Sequence, residues 1–281
     1  PDDIQRVANT YLQPTNRTLY ALLPEGGTPA MNGAHLQHET GPIQKVEFSN
    51  GLTLLLKEDH RLPFVQLRGM FQGGVLAEKM GNSGITQLMA KLLVKGTAKR
   101  TGQQIAEQIE NVGGGIDAYG GNNSFGISAE VMSEDAALGV ELLADVILNP
   151  SFPADALSRQ REVQLAGIRA QDDKLLQKTF SLMRENLFGA HGYGLNSLGI
   201  NESVEALAAD DLRAFHAQLA VPNNAVIAVF GDMDSAQVRA DLETVFGLWK
   251  RGGDYQVPKL LAGTQGKRRV ADQKDKEQHF P

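Results

Sequence analysis

Residues 84–97 read Gly-Ile-Thr-Gln-Leu-Met-Ala-Lys-Leu-Leu-Val-Lys-Gly-Thr. Large apolar side chains recur three or four residues apart in this stretch, at Ile85, Leu88, Met89, Leu92 and Leu93. Because that spacing brings them to one face of an α-helix, the stretch predicts a helix with one buried side. We expect Ser83 to cap the amino end of this helix and Gly96 to end it.

Gln87 and Lys91 lie on the opposite face of the predicted helix, four residues apart. Two histidines with this spacing form part of many zinc sites, whereas this chain carries an amide and an ammonium group there. A protonated lysine has no lone pair to give to a metal, and its charge repels Zn²⁺. The same two residues are equally typical of the solvent-facing side of a structural helix.

The frame around these residues resembles the active-site helix of the pitrilysin/insulinase family of zinc peptidases. In that family an inverted H-x-x-E-H signature lies between an upstream Gly and a downstream Gly-Thr. Gly84 and the run Lys95-Gly96-Thr97 match that frame. The resemblance places the first ligand histidine at Gln87, the catalytic glutamate at Ala90 and the second ligand histidine at Lys91.

The family's third zinc ligand is a glutamate on a later helix with the pattern E-R-x-V-x-x-x-E. Arg161 and Val163 match this pattern, so the resemblance places a supporting glutamate at Gln160 and the ligand glutamate at Gly167. A catalytic zinc needs about three N or O ligands and a nearby general base, and all five positions are substituted. The resemblance therefore implies a peptidase fold without a peptidase site and without a cofactor in this domain.

No second set of residues shows the spacing of metal ligands or of a nucleophile motif. His60, His191, His216 and His279 show no pair at helical or hairpin ligand spacing, and we interpret His216 as packed or surface-exposed and His191 as a hydrogen-bonding loop residue. His35 and His38 fall in a predicted linker. The chain contains no cysteine and no Gly-x-Ser-x-Gly elbow, which excludes the common nucleophile motifs.

Strand and helix signals extend over most of the chain. Asn50-Gly51 between two apolar runs predicts a hairpin, and alternating apolar residues predict further strands. The predicted strands are Val46–Phe48, Leu52–Leu56, Phe64–Phe71, Ile116–Tyr119, Phe125–Val131 and 225–230, and the predicted helices after 85–95 are 103–111, 134–148, 154–171, 174–188, 210–219 and 235–248, with a loop at 189–203. This order predicts an α+β fold, an antiparallel sheet with helices packed on one side, and it resembles the pitrilysin/mitochondrial-processing-peptidase-like module.

The first residues repeat a pattern found near the end of the domain. With a shift of 208 positions, Asp2, Asp3, Pro14 and Asn16 coincide with Asp210, Asp211, Pro222 and Asn224. We therefore predict that 1–23 are the last helix and strand of a preceding similar module. A linker rich in Gly and Pro follows at 24–42, the inactive peptidase-like domain spans 43–252, and 253–281 form a tail toward a next module.

Composition narrows the range of partners. The 281 residues carry a net charge of -6, which argues against a nucleic-acid partner. The hydrophobic fraction of 42% and the charged fraction of 21% are ordinary for a globular protein. Apolar runs such as 52–56 are too short to cross a bilayer, so we predict no membrane span.

Members of the family are built from paired modules that enclose a peptide, often one catalytic and one degenerate. The resemblance implies that this domain is the non-catalytic partner in a larger zinc metalloprotease, with zinc only in the preceding module of the same polypeptide. Peptide or protein substrate is expected to pair with a strand edge at Ile116, Asp117, Ala118 and Tyr119, or at Phe125–Val131. The resemblance also suggests a periplasmic or cell-envelope setting.

Two other functions stay open. The domain could serve as a structural or assembly subunit with no proteolytic role, or as an active metallopeptidase with relocated ligands. An intact H-x-x-E-H motif in the coding sequence upstream of Pro1 would favour the peptidase partner, and bound metal in the purified chain would favour relocated ligands. A homodimer also stays open.

Overall fold

The structure, a computed structural model, describes residues 2–11 and 41–259. The chain divides into two units, 1–37 and 38–281, and each is described by itself. In the first unit, residues Asp2–Tyr11 form the helix α1, as predicted. The predicted strand at the end of 1–23, most of the linker, and the residues His35, His38 and His279 lie outside the described residues.

The second unit contains a six-stranded sheet in the order β1-β2-β6-β3-β5-β4. Its strands are β1 (Gln44–Glu47), β2 (Thr53–Glu58), β3 (Phe64–Gln72), β4 (Gly115–Gly120), β5 (Ser124–Met132) and β6 (Ala225–Gly231). Every neighbouring pair is antiparallel except β2 and β6, which run parallel. β1 and β4 therefore form the two edges of the sheet.

Eight further helices follow in the described part of this unit. They are α2 (Ile85–Leu93), α3 (Gly102–Asn111), α4 (Ala136–Leu148), α5 (Ala154–Asp172), α6 (Leu175–Phe188), α7 (Asn201–Ala206), α8 (Ala209–Leu219) and α9 (Ser235–Phe246). The five apolar residues that predicted α2 are all buried, so its amphipathic pattern is confirmed. Each of these helices lies close to its predicted position, except α7.

One face of the sheet carries the core and the other is open. Along β3 the side chains alternate, so that Val65, Leu67 and Phe71 are buried while Phe64 and Met70 are exposed. The buried face joins apolar residues of α2, α4, α8 and α9 in a single cluster. The α+β class, with helices packed on one side of the sheet, is confirmed.

Three details depart from the sequence-based expectations. β2 pairs in parallel with β6, a strand about 170 residues later, and no local turn signal could announce that pairing. The predicted loop at 189–203 contains the start of α7. β5 pairs with β3 on one side and β4 on the other, so the prediction that Phe125–Val131 forms a free edge is wrong.

None of the helices within residues 2–11 and 41–259 combines the length and the apolarity that a membrane crossing requires.

Candidate functional site

The amino end of α2 is capped by a carboxylate from an earlier turn. Glu78 Oε2 accepts a hydrogen bond from the Gly84 backbone N–H at 2.8 Å, and Oε1 accepts one from the Thr86 N–H at 2.9 Å. Gly84 adopts a φ of 90°, a left-handed conformation that glycine reaches without strain. The prediction that Ser83 caps this helix is wrong, because its hydroxyl lies 2.9 Å from that of Ser203, 120 residues later.

Glu78 is a buried titratable group at the start of the helix. Burial raises the pKa of its carboxyl to about 7, against the lowering effect of the backbone N–H groups that it accepts. The carboxylate also lies near the positive end of the helix dipole, which favours its charged form. No sequence pattern indicated this cap, because Glu78 lies outside the usual capping positions.

α5 fixes the same end of α2. The buried Gln164 side chain donates from Nε2 to the Gly84 carbonyl at 2.9 Å and to the Leu198 carbonyl at 2.8 Å. Arg161, which resembles the family's arginine, donates from Nη2 to the Leu207 carbonyl at 2.6 Å. Gln164 therefore holds the start of α2, whereas Arg161 holds the segment that follows α7. Sequence reasoning did not single out Gln164.

The face of α2 that carries Gln87 and Lys91 approaches the edge strand β4. Gln87 Nε2 donates to the Gly120 carbonyl at 2.6 Å, so its amide is committed to the end of that strand. Lys91 Nζ lies 3.9 Å from Asp117 Oδ1, and because both side chains are exposed this ion pair adds little stability. Ala90 between them is fully buried.

The residues on α5 complete the set of positions that the resemblance assigns to the metal. Gln160 and Gly167 are both half-buried. A Cβ added at Gly167 would lie 3.2 Å from Leu198 Cδ1, so the space there is already partly filled by an apolar side chain. An amide, a methyl, an ammonium, a second amide and a glycine do not fit a catalytic zinc.

The described residues offer no alternative metal site. Across 2–11 and 41–259, no group of three or more His, Cys, Asp or Glu side chains is arranged to hold a metal ion.

The predicted peptide-binding residues lie on β4, which is an edge strand. Ala118 is buried in the core, Ile116 is half-buried, and Asp117 and Tyr119 point to the open face of the sheet. The Tyr119 ring lies over Gly126, where an added Cβ would come within 2.8 Å of it. β4 is bonded to β5 on one side only, so it is an edge strand, and Gln87 on α2 donates to the carbonyl of Gly120 at its end.

Ser133, Asp232 and His60 form a cluster that the sequence did not reveal. Asp232 bridges the other two, because it accepts from the Ser133 hydroxyl at 2.8 Å and lies 2.6 Å from His60 Nδ1. The hydrogen bond to Asp232 raises the pKa of His60. In a hydrolytic triad the serine bonds the histidine, so this order does not activate a nucleophile.

The remaining described histidines have structural surroundings. His191 Nδ1 accepts from the Tyr193 backbone N–H at 3.3 Å, within its own loop, in agreement with the loop role expected for it. His216 packs edge-on against Phe152, and burial lowers its pKa to about 4.

The fold and the frame around α2 define a domain of the zinc-peptidase type. The family model described as Insulinase (Peptidase family M16) matches residues 53–199, and the model described as Peptidase M16 inactive domain matches 206–280. The chain therefore belongs to peptidase family M16, the insulinase family.

Individual relatives agree with this assignment. The beta subunit of the mitochondrial-processing peptidase of Blastocladiella emersonii is 27% identical over 74% of this chain and 45% of its own length. An uncharacterized zinc protease of Mycobacterium leprae is 33% identical over 59% of this chain and 37% of its own. The chain thus spans less than half the length of these two relatives.

Solved structures share the fold. A peptidase M16 inactive domain from Pseudomonas fluorescens superposes with a TM-score of 0.73 and 26% identity, over 78% of this chain and 54% of that one. A chain of Complex III2 from Candida albicans has a TM-score of 0.62 and 21% identity, over 77% and 49%. The second likeness establishes the fold alone.

Proposed function

We propose that this domain is a non-catalytic peptidase-like module that helps to enclose and bind peptide for a catalytic partner module of a longer zinc metalloprotease. The observation that carries the proposal is the chemistry of the α2 face, where Gln87 bonds the edge strand and Lys91 places an ammonium in the second ligand position. The match to the M16 inactive-domain model supports it. Zinc would then be held by the partner module.

Peptide binding is proposed at β4, along Ile116, Asp117, Ala118 and Tyr119. Half of the backbone N–H and C=O groups of an edge strand point away from the sheet, and an extended peptide can satisfy them by adding a strand. Asp117 and Tyr119 would contact alternate peptide side chains from the open face. The Gln87 bond to Gly120 would mark one end of this peptide site.

Amide hydrogen exchange of the full chain, with and without a soluble unstructured peptide of alternating apolar and polar residues, tests this site. We expect peptide to slow exchange across Gly115–Gly120. The opposite edge strand β1, at Gln44–Glu47, is the internal control because it is equally terminal but lies far across the sheet. Equal or absent protection at the two edges would contradict specific binding at β4.

A second candidate function is a structural subunit with no proteolytic role. The chain of Complex III2 from Candida albicans that shares this fold supports this candidate, because the same fold there occurs within a complex. Absence of an intact H-x-x-E-H motif from the coding sequence upstream of Pro1, together with no peptide protection at β4, would favour this function.

Relocated zinc ligands make a third candidate, and metal content distinguishes it. We expect the purified full chain, after dialysis against zinc, to retain no stoichiometric metal by elemental analysis and to cleave no peptide. Retention of one zinc per chain together with peptide cleavage would instead establish an active metallopeptidase.

A further inference from the structure

The last described segment of the domain crosses its surface without forming a helix or a strand. Trp249, just before this segment, is held in place because its ring packs against the rings of Phe71 and Phe246. Among the described residues, no backbone-to-backbone hydrogen bond reaches 250–258. We call residues 252–258 the strap. A segment with so few backbone bonds needs less free energy to unfold locally than the sheet does.

Two side chains hold the strap at its ends. Asn223 Nδ2 donates to the Gly252 carbonyl at 3.3 Å and to Asp254 Oδ1 at 2.9 Å, and Asn223 Oδ1 accepts a hydrogen bond from the Gly252 N–H at 2.9 Å. At the other end, His191 Nε2 lies 3.3 Å from the Pro258 carbonyl. Because each of these bonds joins a side chain to the strap, the strap can detach without breaking a bond inside a helix or a strand.

Tyr255 in the middle of the strap has two opposing effects on its attachment. Its ring packs against the hydrophobic core, which favours the attached strap. Its hydroxyl is buried and has no hydrogen-bond partner among the described residues, and burial raises its pKa. An unpaired buried hydroxyl costs free energy that contact with water would recover, so this group favours release of the strap.

Gly252 and Gly253 lie between the strap and the fixed Trp249. Gly252 packs so closely on Val221 that an added Cβ would clash with the valine side chain, whereas an added Cβ at Gly253 would meet nothing within 4 Å. Glycine has access to more backbone conformations than other residues, so two in a row allow the chain to change direction here. This pair can therefore act as a hinge.

The strap also forms one wall of a cavity of about 600 Å³. Leu76 and Leu219 line the same cavity, as does Glu78, the carboxylate that caps α2. We propose that the strap is a lid that swings about Gly252 and Gly253 and opens this cavity while the sheet and helices stay folded. Opening exposes the cavity surface next to the amino end of α2. The proposal does not depend on peptide binding at β4.

Trypsin cleavage of the full chain after Arg251, followed by mass spectrometry, measures the population of the open strap, because a protease cleaves the detached segment. We expect Asn223→Ala to raise the rate of this cleavage by at least roughly tenfold, since it removes the bonds at one end of the strap. Tyr255→Phe should lower the rate by roughly threefold, because the attached strap then no longer buries an unpaired hydroxyl. Opposite effects at one cleavage position distinguish this lid from a segment that opens only by global unfolding.

Gln103→Ala is the control for loss of an amide bond, because Gln103 donates to Glu107 on α3, outside the strap and the cavity. We expect it to leave cleavage after Arg251 unchanged. Urea unfolding of each variant gives its global stability. Cleavage rates that follow global stability in every variant, or faster cleavage of Tyr255→Phe than of the wild type, would overturn the proposal. If Asn223→Ala does not fold, the comparison of Tyr255→Phe with the wild type decides it.

Discussion

Glu78 and His216 are two groups whose pKa values move in opposite directions on folding. Burial raises the pKa of Glu78 from 4.5 to about 7 and lowers the pKa of His216 from 6.5 to about 4. Between pH 4.5 and 7 the folded Glu78 keeps a proton that the unfolded chain releases. Between pH 4 and 6.5 the unfolded His216 takes up a proton that the folded chain does not.

The two groups therefore oppose each other over a shared range of pH. The stability that Glu78 contributes is complete below pH 4.5 and is lost as the pH rises toward 7. The stability linked to neutral His216 is complete above pH 6.5 and is lost as the pH falls toward 4. From pH 4.5 to 6.5 their effects on the free energy of unfolding cancel in large part.

Replacing either side chain should reveal the pH dependence of the free energy of unfolding that the other one causes. We expect Glu78→Gln to make the free energy of unfolding rise more steeply with pH between 4.5 and 6.5 than in the wild type, by about 1 kcal/mol per pH unit. His216→Gln should make it fall over the same range. Urea unfolding at several pH values measures both slopes, and wild-type slopes in both variants would contradict the assignment of these pKa values.

Among the elements, α4 is joined to the segment after α2 through one buried carboxylate. Asp145 accepts from the Thr97 hydroxyl at 2.7 Å, from Arg100 Nη1 at 2.8 Å and from Asn149 Nδ2 at 3.0 Å. Arg100 also pairs with Glu141 one turn earlier on α4. Burial acts to raise the pKa of Asp145. The hydrogen bonds that Asp145 accepts from Thr97, Arg100 and Asn149 outweigh this effect, so the pKa lies below its usual value.

Removing the buried Asp145 carboxylate should destabilise the domain. Asp145→Asn should lower the free energy of unfolding by roughly 3 kcal/mol, because it leaves the Arg100 guanidinium with only Glu141 as a charged partner and disturbs the Thr97 bond. Chemical denaturation near neutral pH measures the loss. Asp155→Asn is the matched control, since its pair with Arg159 is exposed and should change stability by less than about 0.5 kcal/mol. Similar losses for the two variants would contradict the assignment.

Elements were predictable where their signal was local. The α2 stripe repeats every three or four residues, and the hairpin β1–β2 has Asn50-Gly51 at its turn, so both could be read from neighbouring residues. The parallel pairing of β2 with β6 and the central place of β5 depend on partners far along the chain. Ser83 failed as a cap for the same reason, because Ser203 competes for its hydroxyl.

In the molecule as a whole, the position of α2 could be predicted from the sequence, but the side chains that hold α2 in place could not. Gly84 and the Gly-Thr pair at 96–97 were sufficient to locate the α2 helix in the sequence. The residues that hold that helix, Glu78 and Gln164, each act through two hydrogen bonds from outside the helix, and these bonds leave no periodic pattern in the sequence. The edge position of β4 likewise follows from sheet order, which strand signals alone do not specify.

If the frame has been kept, restoring the ligands should restore metal binding. In a chain carrying Gln87→His and Lys91→His, two imidazoles one helical turn apart should bind Zn²⁺ weakly. Adding Gly167→Glu supplies the third ligand that the resemblance assigns to α5. We expect that addition to tighten zinc binding by at least tenfold, measured by calorimetric titration of the refolded, dialysed chain.

The control for this graft separates the carboxylate from the space it needs. Any side chain at 167 must displace Leu198 Cδ1, which lies 3.2 Å from the position of an added Cβ, so Gly167→Ala in the same two-histidine chain makes the same demand without a ligand. Zinc affinity should rise with glutamate and not with alanine. Equal affinities of the two variants would mean that residue 167 does not face the two histidines. The proposed match between Gly167 and the family's third ligand would then be wrong, but the fold assignment would not be affected.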